Sequence, residues 1–221
     1  MKYKSIAIDG PAGSGKSLMA RMLSEQKGYT YLDTGAMYRT VALKAIRSGI
    51  DTSDGEKISE LIKNIDLKLV IKDNKQYNYL DNECVDGLIR TNQVSKGASD
   101  VSKFPPVRLF LVEMQRQVAK EHNVVMEGRD IGTYVLPDAD YKFFLTASNE
   151  VRAKRRLLQM QQEGKTVTYE EVLADIIYRD KQDSERDFAP LKKADDAIEI
   201  DTSKMGIDEV FAALSGYING K

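Results

Sequence analysis

The stretch Gly10-Pro11-Ala12-Gly13-Ser14-Gly15-Lys16-Ser17 constrains this chain more than any other, because three glycines in six residues need a geometric reason. Ordered glycine loses more conformational freedom than any other residue, so it is kept where the backbone must turn left-handed or pass close to something. The stretch fits G-x-x-x-x-G-K-[ST] at every fixed position, the loop whose inward N–H groups cradle phosphate oxygens. Its surroundings agree. Residues 5–9 (SIAID) read as a short buried strand, and Leu18, Met19, Met22 and Leu23 follow at helical spacing, with Gly28 as a stop. The order strand, loop, helix sets a helix N-terminus behind the loop, where its dipole attracts anions. Gly10, Pro11, Ala12, Gly13, Ser14, Gly15, Lys16, Ser17 and Leu18 are therefore expected to hold the phosphates of ATP, with Lys16 reaching the β/γ-phosphates and the Ser17 hydroxyl helping to hold Mg²⁺.

Charge and cysteine content narrow what else the chain can be. Its 221 residues carry 33 basic and 34 acidic side chains, a net charge of −1, so nothing pulls it globally toward nucleic acid or acidic membranes. Any anion site must come from locally clustered arginines. Cys84 is the only cysteine, which rules out a disulfide within the chain and a cysteine zinc site and fits a reducing cytoplasm. No apolar run approaches a membrane span, and Ile6-Ala7-Ile8 is too short for a signal peptide. A cytoplasmic monomer without nucleic-acid or membrane partners is expected.

Short apolar runs at 29–33, 123–127, 141–145 and 197–200 add four strands to the first, each flanked by helical patterns. Alternation of this kind predicts an α/β fold with a five-stranded parallel sheet, which binds nucleotides at the carboxyl ends of its strands. Residues 65–85 break the rhythm: apolar and polar residues alternate around Asp73-Asn74, which predicts a small antiparallel hairpin or meander inserted in the fold, and 65–100 reads as weakly organised. Pro105 and Pro106 sit in the first turn of a helix running to about His122, the only histidine, which reads as a helix-end residue. From about 150 to 163 a helix carries Arg152, Arg155 and Arg156 on one face, followed by Gly164 and a second helix starting near Thr168. Taken alone, that face is a solvated basic surface; beside a phosphate-binding loop it is a set of anion-gripping side chains. Arg179, Asp183 and Arg186 are spaced to lie along one face of the second helix.

Four further stretches, LDTGAMYR (32–39), GASDVSKFPPVR (97–108), EGRDIGT (127–133) and YRDKQDSER (178–186), together with the loop at 10–17, resemble the bacterial cytidylate kinase family nearly end to end. The resemblance implies a three-layer P-loop fold and transfer of the γ-phosphoryl of ATP to CMP or dCMP. It implies a core at 1–33 and 101–221, an acceptor-binding subdomain at 34–100 enlarged by the insert at about 65–97, and a mobile helical lid at about 152–167. It further implies that Arg39, Arg129, Arg179 and Arg186 grip the acceptor phosphate and the migrating phosphoryl group, that Ser99, Arg108 and Asp130 contact the cytosine ring, that Asp183 approaches the pentose hydroxyls, and that Thr34 contacts the acceptor. Lys16, Arg129, Arg155, Arg156, Arg179 and Arg186 are the expected catalytic set. Two departures stand out: Leu18 replaces a threonine common in relatives, and Pro106 stands where some place an arginine.

No general base is visible, and the chemistry needs none. A nucleoside monophosphate has a second pKa of about 6, so its attacking oxygen is already largely deprotonated at neutral pH. Transfer then rests on positioning and electrostatics, for which arginines serve. The alternatives are a P-loop kinase of another small acceptor such as UMP, and a non-catalytic ATP-binding regulator.

Overall fold

The structure, a computed structural model, describes residues 3–220. Strand β1 (Ser5–Asp9) leads through the glycine loop into helix α1 (Lys16–Lys27), and β2 (Thr30–Asp33) runs directly into α2 (Thr34–Arg47). Then come α3 (Gly55–Lys63), β3 (Leu67–Lys72), β4 (Lys75–Leu80), the two-residue β5 (Glu83–Cys84), α4 (Asn92–Val101) and α5 (Pro105–Glu121). The chain returns through β6 (Val124–Gly128), a single π-helical turn (Ile131–Val135), β7 (Tyr141–Thr146), α6 (Asn149–Gln162), α7 (Tyr169–Ser184), β8 (Ile198–Asp201) and α8 (Ile207–Asn219).

Five strands, in the order β2-β6-β1-β7-β8, are parallel throughout, with Ile6 beside Val125, Ile8 beside Phe143, and Leu32 beside Met126. Alternate residues of β1 serve opposite cores. Ile6 and Ile8 pack with Leu23, Phe143, Leu145 and Leu214 beneath α1 and α8, while Ala7 packs with Leu32, Val112, Val124 and Met126 on the other face. A sheet covered on both faces explains why the strands read as continuous apolar runs. At all five carboxyl ends the chain turns into a loop or helix that reaches one edge of the sheet, the place where α/β folds bind ligands.

The insert forms the expected antiparallel hairpin but differs from expectation in two respects. The antiparallel β3–β4 hairpin, with β5 beside β4, is not a separate small sheet: β4 lies next to β2 through a parallel bridge of Tyr31 and Lys75, so one sheet runs through both parts. Residues 65–100 are also well organised. Leu67, Leu80, Val85, Ile89, Val94 and Ala98 join a single core with Met37, Val41, Ile58, Val107 and Leu111 from the surrounding helices. Its polar turns at Asp73-Asn74 and Asp81-Asn82, all four residues at positive φ, hid that core from a reading by composition.

Helices α6 and α7 enclose a small core of their own, Ala153, Met160, Val172 and Ile176, which joins α6 to the first two turns of α7. Thr168 caps α7 with a reciprocal pair: its Oγ1 accepts from Glu171 N, and Glu171 accepts from Thr168 N. Arg186 corrects the expected helical face. Helix α7 ends at Ser184, and the chain beyond leaves the helical path, with Leu191 N donating to Asp183 O and Ala189 in the left-handed region at φ 48°.

Candidate active site

The carboxyl ends of the strands open into a cleft of about 540 Å³. The glycine loop forms its floor. At Gly10, φ is +146° and a Cβ would stand 2.0 Å from Leu145 O, so only glycine lets the loop pass that close to β7. Lys16, almost fully buried, donates from Nζ to Pro11 O at 2.7 Å and to Ser14 Oγ at 3.4 Å, so the loop curls around its own ammonium. Burial, reinforced by the charge of Arg129, pushes that ammonium down to about 7. Ala12, Gly13, Gly15, Lys16, Ser17 and Leu18 line the cleft, whereas Gly10, Pro11 and Ser14 form the turn behind it.

Behind the loop, Asp9 closes β1. Its carboxylate accepts from Ile131 N at 2.8 Å and Gly132 N at 2.7 Å, which ties the loop's root to the π-helical turn, while burial lifts its pKa to about 6. That turn exists because Asp130 O accepts from both Tyr134 N and Val135 N. The residue before it is thereby turned into the cleft, a common placement for single π-helical turns near sites.

Arginines from four different places reach the cleft: Arg39 from α2, Arg129 after β6, Arg179 from α7 and Arg186 beyond it. Each has a carboxylate neighbour. Asp33, the N-cap of α2, accepts from Ala36 N and also pairs with Arg39 at 2.8 Å. Arg129 Nε meets Asp183 at 2.7 Å, and Arg186 lies 3.8 Å from Asp183 and 3.4 Å from Asp130. Burial alone would raise the Asp183 carboxyl, but Arg129, with Arg186 and Arg179, outweighs it and holds the pKa below the usual carboxylate range. Burial and the adjacent Arg129 depress Arg179. Arg39 Nε and Arg108 Nε are buried without a partner among the described residues, two donors on the cleft wall that an anionic or polar ligand could satisfy.

At the far end, Arg108 is 1% exposed and pairs with Asp130 at 2.5 Å, its other nitrogen donating to Ser102 O at 3.2 Å. Ser99 lines the same end, and Thr34 lines the cleft while donating from Oγ1 to Glu127 O at 2.8 Å.

The α6 arginines lie along one stripe of the helix, as their spacing predicted, but their side chains go to different places. Arg152 is buried at the root of α6, donating to Ala12 O and Ala147 O and pairing with Asp180 of α7. Arg155 makes two bonds to Thr202, at 2.9 Å to Oγ1 and 2.7 Å to the carbonyl, and Arg156 donates to Gln159; these two line the cleft. The long side chains diverge because the helix root packs into the body while its next turn faces the opening.

The family model described as cytidylate kinase matches residues 6–220. The chain belongs to the cytidylate kinase family. It is 50% identical over 210 residues to a cytidylate kinase of Caldicellulosiruptor bescii, covering 95% of this chain and 93% of that protein. It is 47% identical to one of Clostridioides difficile (97% of each chain) and 46% identical to one of Bacillus subtilis (95% and 93%). As a member of the family the chain is a phosphotransferase that moves a phosphoryl group from ATP to CMP or dCMP. The fold is shared more widely: a gluconokinase from Sinorhizobium meliloti superposes with a TM-score of 0.50 at 15% identity (99% and 93% of the chains), and an uncharacterized protein from Eubacterium ventriosum with 0.54 at 16% (99% of each).

Sequence reading passed over several residues that line the cleft. Glu127, the last but one residue of β6, lines the cleft and accepts from Tyr31 Oη at 2.5 Å; its signal was its place near the end of a central strand. Arg90 lies 3.7 Å from Asp33, and Arg21 sits over the Tyr31 ring at 5.4 Å. Neither arginine stands in a distinctive pattern, and only the packing of the insert and of α1 brings them to the cleft.

Proposed function

We propose that ATP lies on the loop at 10–18 and that CMP or dCMP lies between α2, α4 and the segment after β6, with direct in-line transfer between them. What carries this reading is the convergence of Lys16 and four arginines from distant parts of the chain on one cleft, whose far end holds the paired Arg108 and Asp130. Arg39, Arg129, Arg179 and Arg186 bind the acceptor phosphate in pairs of parallel hydrogen bonds and offset charge on the migrating group. Lys16 follows the β/γ-phosphates from donor to transition state. Arg108 donates to the cytosine ring and Asp130 accepts from its amine, with Ser99 beside them; Asp183 faces the pentose hydroxyls and Thr34 the acceptor.

No group of three or more His, Cys, Asp or Glu side chains among the described residues is arranged to hold a metal. The exposed Ser17 hydroxyl in the cleft suits Mg²⁺, which takes one or two protein oxygens and completes its shell with phosphates and water. When bound, Mg²⁺ offsets negative charge on the β/γ-phosphates.

The core at 1–33 and 101–221 holds the donor, and 34–100 holds the acceptor. The unit built on 152–167, with the start of α7, closes over both and excludes water that would otherwise hydrolyse ATP. Arg155 and Arg156 enter the transfer step on closure. No helix among the described residues is long and apolar enough to cross a membrane. The single cysteine suits a reducing cytoplasm, and we take the protein to act there as a monomer.

The test is ADP release with Mg-ATP, alone and with each common nucleoside monophosphate. CMP and dCMP should raise release by orders of magnitude over ATP alone, and UMP much less. Equal release with and without acceptor leaves a nucleotide-binding regulator; equal use of CMP and UMP leaves a general pyrimidine monophosphate kinase.

A further inference from the structure

Phe188 follows the charged residues Glu185-Arg186-Asp187 just beyond α7, and it does not line the cleft. Its ring instead lies over the guanidinium of Arg108, 5.9 Å from ring centre to Cζ. Tyr38 of α2 approaches the same guanidinium at 5.5 Å. Arg108 thus has two aromatic neighbours, while in its own plane Asp130 and Ser102 O take two of its nitrogens and Nε is unpartnered. Phe188 also meets Tyr134 edge to face, with ring centres 5.0 Å apart at 72°. Tyr134 belongs to the π-helical turn that Asp130 opens, and its N–H donates to Asp130 O. One side chain therefore touches both the donor of the Arg108–Asp130 pair and the turn that presents the acceptor.

The segment that delivers Phe188 is held firmly. Arg186 Nε donates to Ala189 O at 2.6 Å, Leu191 N donates to Asp183 O, and Arg186 itself reaches Asp130 at 3.4 Å. A fully desolvated guanidinium gains most from aromatic faces, because no water competes for its charge.

We infer that Phe188 is a positioning residue for base selectivity: it holds the Arg108 guanidinium against Tyr38, so that the donors of Arg108 keep the orientation that favours cytosine over uracil. The inference rests on the base-reading role proposed above for Arg108 and Asp130. A residue that merely packed the segment would affect CMP and UMP alike, whereas one that aims a donor changes their ratio.

The experiment measures kcat/KM for CMP and UMP at saturating Mg-ATP, and KM for ATP, in wild type, Phe188→Leu, Phe188→Tyr and Arg108→Met. Phe188→Leu should lower the CMP-to-UMP ratio about three- to tenfold, a part of the roughly thirtyfold that one desolvated cation–π contact is worth. Its KM for ATP should stay within about twofold of wild type, and Phe188→Tyr, which keeps the ring, should retain the wild-type ratio. An unchanged ratio in Phe188→Leu overturns the inference, and so does a parallel rise of KM for CMP, UMP and ATP, which marks a packing role. Arg108→Met separates the two readings. If the ratio collapses there but stands in Phe188→Leu, Phe188 alone is wrong; if it stands in both, the base-reading role of Arg108 fails and the inference with it.

Discussion

Lys16 shows how much of a site can rest on one side chain. Its ammonium, held to about 7 in the free protein by burial and by Arg129, gains phosphate neighbours when ATP binds, and these raise its pKa. Between the two values the complex carries one more proton than the free protein, so ATP binding takes up a proton and weakens as pH climbs above about 7. Calorimetry in buffers of different ionisation enthalpy should show that uptake, and Lys16→Ala should abolish it while lowering turnover at least about 10²-fold. The fold should survive, since removing a buried lysine whose charge is disfavoured costs little packing. Asp130 behaves oppositely. It is the partner of Arg108 and Arg186, so Asp130→Asn leaves two buried cations short of a carboxylate; urea unfolding should show a loss of about 3 kcal/mol. The same variant should narrow the preference for CMP over UMP, because an amide can turn its NH₂ toward the uracil carbonyl. An unchanged ratio removes Asp130 from base reading. The residue types at these positions were legible from the motif stretches. Their partners were not: Asp33 for Arg39, Thr202 for Arg155 and Asp180 for Arg152 lie 6, 47 and 28 residues away, and no spacing rule reaches the last two.

At the scale of elements, the glycine loop and the α6–α7 pair do different work. The loop is fixed by its neighbours: Leu145 O stands where a Cβ of Gly10 would be, and β7 cannot retreat without losing its pairing to β1. Gly10→Ala should destabilise the protein by about 3 kcal/mol or more and remove measurable ATP binding, read by thermal unfolding with and without nucleotide. The α6–α7 pair has its own small core and is tied to the body at its root by Arg152 and one turn further by Arg155. Arg155→Ala or Arg156→Ala should lower kcat more than it weakens CMP binding if these side chains engage on the closure proposed above; unchanged kcat in both variants assigns them to a solvated basic surface. Strands and helices of the core were legible because each carries an uninterrupted apolar period. The end of α7 was not, because Glu185 to Pro190 continues a charged pattern that a helix could also carry, and the turn after Ser184 is fixed by Leu191 N on Asp183 O.

The whole molecule is nearly neutral, yet its cleft concentrates basic side chains drawn from several helices and from the segments after β6 and α7. Its attraction for a dianionic acceptor is therefore local, and salt should screen it in part. Between about 0.05 and 0.5 M salt, KM for CMP should rise several-fold while the unfolding temperature changes little; a KM independent of salt removes the arginine cluster from acceptor binding. From the sequence alone came the phosphate loop, because its glycine spacing is a local geometric necessity. The alternating α/β order also came from it, because apolar period is local, as did the family, because the motif stretches are contiguous. Only the tertiary structure decided that the insert extends the main sheet through Tyr31 and Lys75, that Arg90 and Glu127 face the cleft, that the α6 arginines diverge, and that Phe188 covers Arg108. Each of these depends on which distant segments pack together, and side-chain direction follows from that packing rather than from position along the chain.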